Sequence, residues 1–96
     1  MTFNNEEYRE PNEQFIADWK HDTWYPVLVK LNADISELES EYEIIQIKEK
    51  FGGLRYYVQL PLGTYEDVRD LIFTLIYKAE LECADIDSRN GLNRYY

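Results

Sequence analysis

The sequence predicts an α+β fold: one small domain of three helices and a two-stranded antiparallel hairpin, in the order α-α-β-β-α. Three observations carry that prediction. One apolar stripe at helical period runs from Trp24 to Leu38, and a second runs from Val68 to Cys83. Between them, residues 44–60 alternate at period two around Gly52-Gly53. With 96 residues there is room for one domain, and 45% hydrophobic content separates the chain from disordered compositions.

The elements follow in chain order. Residues 1–11 read as a flexible acidic arm, 12–88 as the folded domain and 89–96 as a polar-aromatic tail. Asn12 is suited to cap a first short helix, in which Phe15, Ile16 and Trp19 share one side. The second helix starts near Trp24. Asp22 or Thr23 can cap it, and Pro26 fits its first turn, where a missing N–H costs nothing. Trp24, Leu28, Leu31, Ile35 and Leu38 then form its apolar stripe.

Residues 43–60 change character. Ile44, Ile45 and Ile47 are β-branched, and Gly52-Gly53 tolerates the positive φ of a tight turn. The alternation assigns Ile45, Ile47, Leu54, Tyr56 and Val58 to the inner face. It assigns Gln46, Lys48, Lys50, Arg55, Tyr57 and Gln59 to the outer one. Thr64 and Asp67 have capping-box spacing before the last helix. There Val68, Leu71, Ile72, Leu75, Ile76, Ala79 and Cys83 make a wide apolar arc, with Phe73 and Tyr77 beside it. Such an arc predicts the most buried element of the fold. A hairpin alone is marginal in water, so the longer helices must support it.

Charge is uneven along the chain. Residues 1–43 sum to −8, residues 44–60 to +2 and residues 61–96 to −3, giving −9. An acidic excess opposes approach to a polyanion and favours a basic partner or plain solubility. No apolar run is long enough for a membrane helix. The polar start is unlike a signal peptide, and one cysteine points to a reducing cytoplasm.

The stretch from Gln46 to Tyr57, reading QIKEKFGGLRYY, resembles a hairpin motif of small uncharacterised bacterial and bacteriophage proteins. Trp24-Tyr25-Pro26 upstream and Ala79-Glu80 downstream match that family's order. The resemblance covers about residues 24–83 and implies a phage or mobile-element setting more than an activity. Some relatives continue into a zinc-knuckle Cys-x-x-Cys-Gly. Here the corresponding positions are Asp87 and Asn90, so the resemblance implies that a metal site is absent from this chain.

The chemistry-bearing residues point away from catalysis. Cys83 lies on an apolar stripe, where cysteine acts as a small hydrophobe. His21 reads as a solvated surface residue. No phosphate-loop spacing follows Gly52-Gly53. The expected protein is therefore not an enzyme, needs no cofactor and binds a partner. In one reading an acidic surface (Glu37, Glu39, Glu41 and Glu43) mimics nucleic-acid charge and inhibits or modulates a host protein, such as a defence protein. In the other, the basic hairpin face (Lys48, Lys50, Arg55 and Tyr57) contacts a partner protein, a phosphate or a nucleic acid. Direct nucleic-acid binding is disfavoured by the net charge, and homodimerisation is left open. The bland alternative pairs the three cations with neighbouring acids on a solvated sheet.

Overall fold

The computed structural model of the chain describes residues 11–94. Helix α1 spans Pro11–Ala17, α2 Tyr25–Leu38, strand β1 Glu43–Lys50, β2 Gly53–Gln59 and α3 Glu66–Arg89. This is the expected α-α-β-β-α order with one antiparallel two-stranded sheet. The expected arm lies outside the described residues except for Pro11, which opens α1. Of the tail, Tyr95 and Tyr96 also lie outside them.

Burial of apolar faces sets the layers. α3 packs on both β2 and α2, while α1 closes over β1 and α2. Trp24, Leu28, Ile35, Leu54, Ile72 and Cys83 are wholly enclosed, which joins the stripes of α2 and α3 to the inner face of the hairpin. Each large apolar side chain so enclosed adds about 1.5–3 kcal/mol of transfer free energy.

Five local expectations are corrected. Neither Asp22 nor Thr23 caps α2: Trp24 holds the N-cap position with no side-chain cap, and Asp22 accepts from the Trp24 backbone N–H instead. Asn12 does not cap α1 but lies within it. Its side chain donates to the Tyr42 carbonyl and accepts from the Ile44 N–H, so it pins α1 to the start of β1. The Thr64–Asp67 capping box does not form: Thr64 bonds the Pro61 carbonyl, and α3 begins without a side-chain cap. Ile44, not Ile45, faces the core, because a β-bulge leaves Ile45 between the pairs Ile44↔Val58 and Gln46↔Tyr57. And α3 is not the most buried element. Leu71, Phe73, Tyr77 and Leu81 stay about half exposed, since a hairpin and one helix cover only one side of a 24-residue helix.

Candidate functional site

The hairpin face turned away from the core gathers all four cationic and aromatic residues expected there. Lys48 stands directly opposite Arg55, Gln46 opposite Tyr57, and Lys50 opposite Gly53. The Lys48 ammonium lies 5.9 Å from the Tyr57 ring centre, and that of Lys50 lies 5.7 Å from Phe51. Arg55 donates to the Leu54 carbonyl at 3.0 Å. Among the described residues, no carboxylate is ion-paired to Lys48, Lys50 or Arg55. The nearest acid in sequence, Glu49, accepts instead from the Gly52 N–H at 2.6 Å and stabilises the turn. Like charges directly opposite on a sheet destabilise it. The Lys48–Arg55 pair therefore goes against the stability of the hairpin without an internal counter-charge.

The tip departs from backbone preference as well. Phe51 and Gly52 both have positive φ, at 55° and 83°, so the two-residue turn is Phe51-Gly52 and Gly53 already belongs to β2. Glycine tolerates this conformation, whereas a phenylalanine there carries strain of order 1–2 kcal/mol. The Phe51 ring is nonetheless 70% exposed. The turn thus sits one residue earlier than the expected Gly52-Gly53, and it places a large aromatic where Asn or Asp is the comfortable choice.

The four acidic candidates lie at the other end of β1. Glu37 is exposed in the last turn of α2, and Glu39 ends that helix with its carboxylate accepting from the Glu41 N–H. Glu41 is exposed in the following turn, and Glu43 opens β1 opposite Gln59. Shallow clefts on either side of Glu41 and Glu43 are lined by Asn12, Tyr42, Leu60 and Pro61. The hairpin thus has an acidic base and a basic tip, and no contact joins the two sets.

A third cluster escaped the sequence reading. The end of α3 closes in a Schellman motif: Gly91, at φ 67°, donates to the Ser88 carbonyl and Leu92 to that of Asp87. The chain then turns back on the fold. Arg94 donates to both carboxylate oxygens of Asp22, at 3.0 and 2.7 Å, and through Nε to Asp87 at 2.8 Å. Its guanidinium lies 3.9 Å from the Trp24 ring centre. The indole N–H of Trp24 donates to the other Asp87 oxygen at 3.0 Å. Burial raises the Asp22 pKa, but hydrogen bonds from Arg94 and the Trp24 N–H outweigh it and leave the carboxyl below its ordinary value. The one advance signal was Asp87 itself, a charge four residues beyond Cys83 on the inward stripe of α3.

The remaining reactive groups are enclosed or unassembled. Burial, with Asp87 next, pushes the Cys83 thiol up to about 12, so it stays protonated at neutral pH. Tyr42 donates to Asn32 and shares a 2.8 Å hydrogen bond with the Tyr56 hydroxyl; burial pushes Tyr42 up to about 12 and Tyr56 higher still. His21 is exposed. Among the described residues, no three His, Cys, Asp or Glu side chains converge as metal ligands, and no helix is long and apolar enough to cross a membrane. Comparison of the chain with family models, with curated proteins and with solved structures finds no match.

Proposed function

We propose that this chain is a non-catalytic binding module: a small acidic accessory protein that seats its hairpin on a partner protein and modulates it. The observation that carries this reading is the Lys48–Arg55 pair, two cations at directly opposed strand positions with no carboxylate ion-paired to either among the described residues. A feature that costs folding stability without internal compensation is the mark of a surface shaped for something else. The counter-charge is an acidic segment of the partner, with Tyr57 and Phe51 supplying contact area beside it. The likeness of residues 46–57 to a hairpin of phage and bacterial proteins supports an accessory role acting on a host protein in the cytoplasm. The −9 charge of the whole chain favours an acidic peptide over nucleic acid, because a single peptide segment reaches the tip without bringing a long polyanion alongside.

Amide NMR tests this with three probes: an acidic decapeptide, a neutral peptide of equal length and a DNA duplex. The acidic peptide should shift Lys48, Arg55 and Tyr57, and Lys48→Ala/Arg55→Ala should abolish the effect. Lys48→Glu adds a sharper criterion. It converts the like pair into an opposite pair, so stability should rise by up to about 1 kcal/mol while peptide binding falls. Salt-sensitive DNA retardation by the protein alone would replace this reading with a nucleic-acid one.

The acidic base supports a second reading, in which Glu37, Glu39, Glu41 and Glu43 imitate nucleic-acid charge on a basic host surface. Its support is that none of the four forms an ion pair among the described residues. Neutralising Glu37, Glu39 and Glu41 should then weaken partner binding most at low salt, while changes at Lys48, Lys50 and Arg55 do little.

A further inference from the structure

Helix α3 carries two apolar lines, and only one of them meets the core. The inner line is Ile72, Ile76, Ala79 and Cys83. The outer line is Phe73, Tyr77 and Leu81, which keep 50%, 59% and 53% of their surface exposed. Four-residue steps stack these three along one side of the helix. At 3.6 residues per turn, Tyr77 and Leu81 sit roughly a third to nearly a half turn away from the inner line. Core packing therefore does not account for them. Half-exposed side chains of this size leave about 100 Å² each, or about 300 Å² together, comparable to the largest apolar patches of ordinary monomers, which are often functional.

The charge around this line identifies what fits it. Glu66, Asp70 and Glu80 lie along the same side, and no cation is ion-paired to any of them among the described residues. Asp85 is neutralised by Arg89 at 2.9 Å. Arg69 and Lys78 stand at the margins. Over its whole length α3 holds seven acids against three bases. Two copies packed through this face would set Tyr77 on Tyr77 and one acidic helix against another, so the charge opposes self-association. It opposes anionic lipid for the same reason.

We propose that the outer face of α3 docks an amphipathic helix of a partner protein whose apolar stripe is flanked by Lys or Arg. Phe73, Tyr77 and Leu81 would take apolar anchors at helical spacing, and the flanking carboxylates would fix the orientation. This surface is separate from the outer hairpin face, and the inference does not depend on that reading.

The test uses the full chain and three synthetic 18-residue peptides. The first is an amphipathic Leu/Lys helix, the second has the same composition scrambled to remove its face, and the third replaces Lys by Glu. Calorimetry and amide NMR should show the first peptide binding and shifting residues 66–85. The scrambled and Glu peptides should bind at least tenfold more weakly. Phe73→Ser/Leu81→Ser should reduce binding of the first peptide at least tenfold; near-unchanged circular dichroism and melting would show that the fold survives. Tyr77→Ser alone gives a second variant should the pair fail to fold. Equal binding of ordered and scrambled peptides, shifts confined to Glu39–Glu43, or an unaffected stripe variant would each overturn the proposal. So would a concentration-dependent dimer, seen by sedimentation equilibrium, that the stripe substitutions dissolve.

Discussion

Arg94→Ala is the most informative single change to stability. It removes both hydrogen bonds to Asp22, the one to Asp87 and the guanidinium over Trp24, leaving two carboxylates without their shared cation. Breaking a fully buried ion pair costs about 3–5 kcal/mol. Here the side chains are 18% exposed for Arg94, 26% for Asp22 and 9% for Asp87, which places the loss toward the lower end of that range. The lost stacking on Trp24 adds roughly 0.5–1 kcal/mol. A total of about 3.5 kcal/mol corresponds to a melting point lower by roughly 14–28 °C in a domain of this size. Urea denaturation followed by Trp fluorescence measures it directly.

The pH dependence gives an independent sign. Because Asp22 is depressed below 3.8 in the fold, its pairing stabilises the protein above that pH and the benefit is lost as pH falls through the native value. Arg94→Ala removes this benefit, so the gap between wild type and variant should narrow as pH falls from about 5 to about 3. A loss under about 0.5 kcal/mol at pH 7 would show that Arg94 is an ordinary surface ion pair and refute the reasoning.

Two further changes probe other joints. Asn12→Ala should cost about 1–3 kcal/mol by leaving the Ile44 N–H and Tyr42 carbonyl unpaired, and should speed hydrogen exchange at the Ile44 amide more than at Leu54. Cys83, wholly enclosed and pushed up to about 12, should react with a thiol reagent at pH 8 only as fast as the protein opens; rapid stoichiometric labelling of the native state would contradict its burial.

Where periodicity decides structure, the sequence was legible. The stripe of α2 and the alternation of β2 announce their own burial, and Leu28, Leu31, Ile35, Leu54 and Tyr56 are buried as the period requires. The basic hairpin face was legible for the same reason, since residues two apart along a strand share a side. What stayed hidden depends on partners far away in sequence. Asn12 reaches across 30 residues to Tyr42, and Arg94 across 72 to Asp22, and no local pattern foretells either. The bulge at Ile45 was hidden by composition, because adjacent isoleucines give alternation no preference for which one faces inward. The arc of α3 misled in the opposite direction. Apolar spacing measures what a helix is able to bury, and the neighbours available decide how much of it is covered.

The bulge has a consequence for how this strand tolerates changes in length. Losing one residue from a regular strand turns every later side chain over, sending a core face to solvent. At Ile45 the arithmetic runs the other way. Ile44 and Ile47 both face inward although they are three residues apart, because the unpaired Ile45 absorbs the odd step. Deleting Ile45 would set them two apart, the natural spacing for one face, and Lys48 would still meet Arg55. The position is therefore a seam in the hairpin: a residue can be dropped there without moving the tip out of phase with the core that supports it.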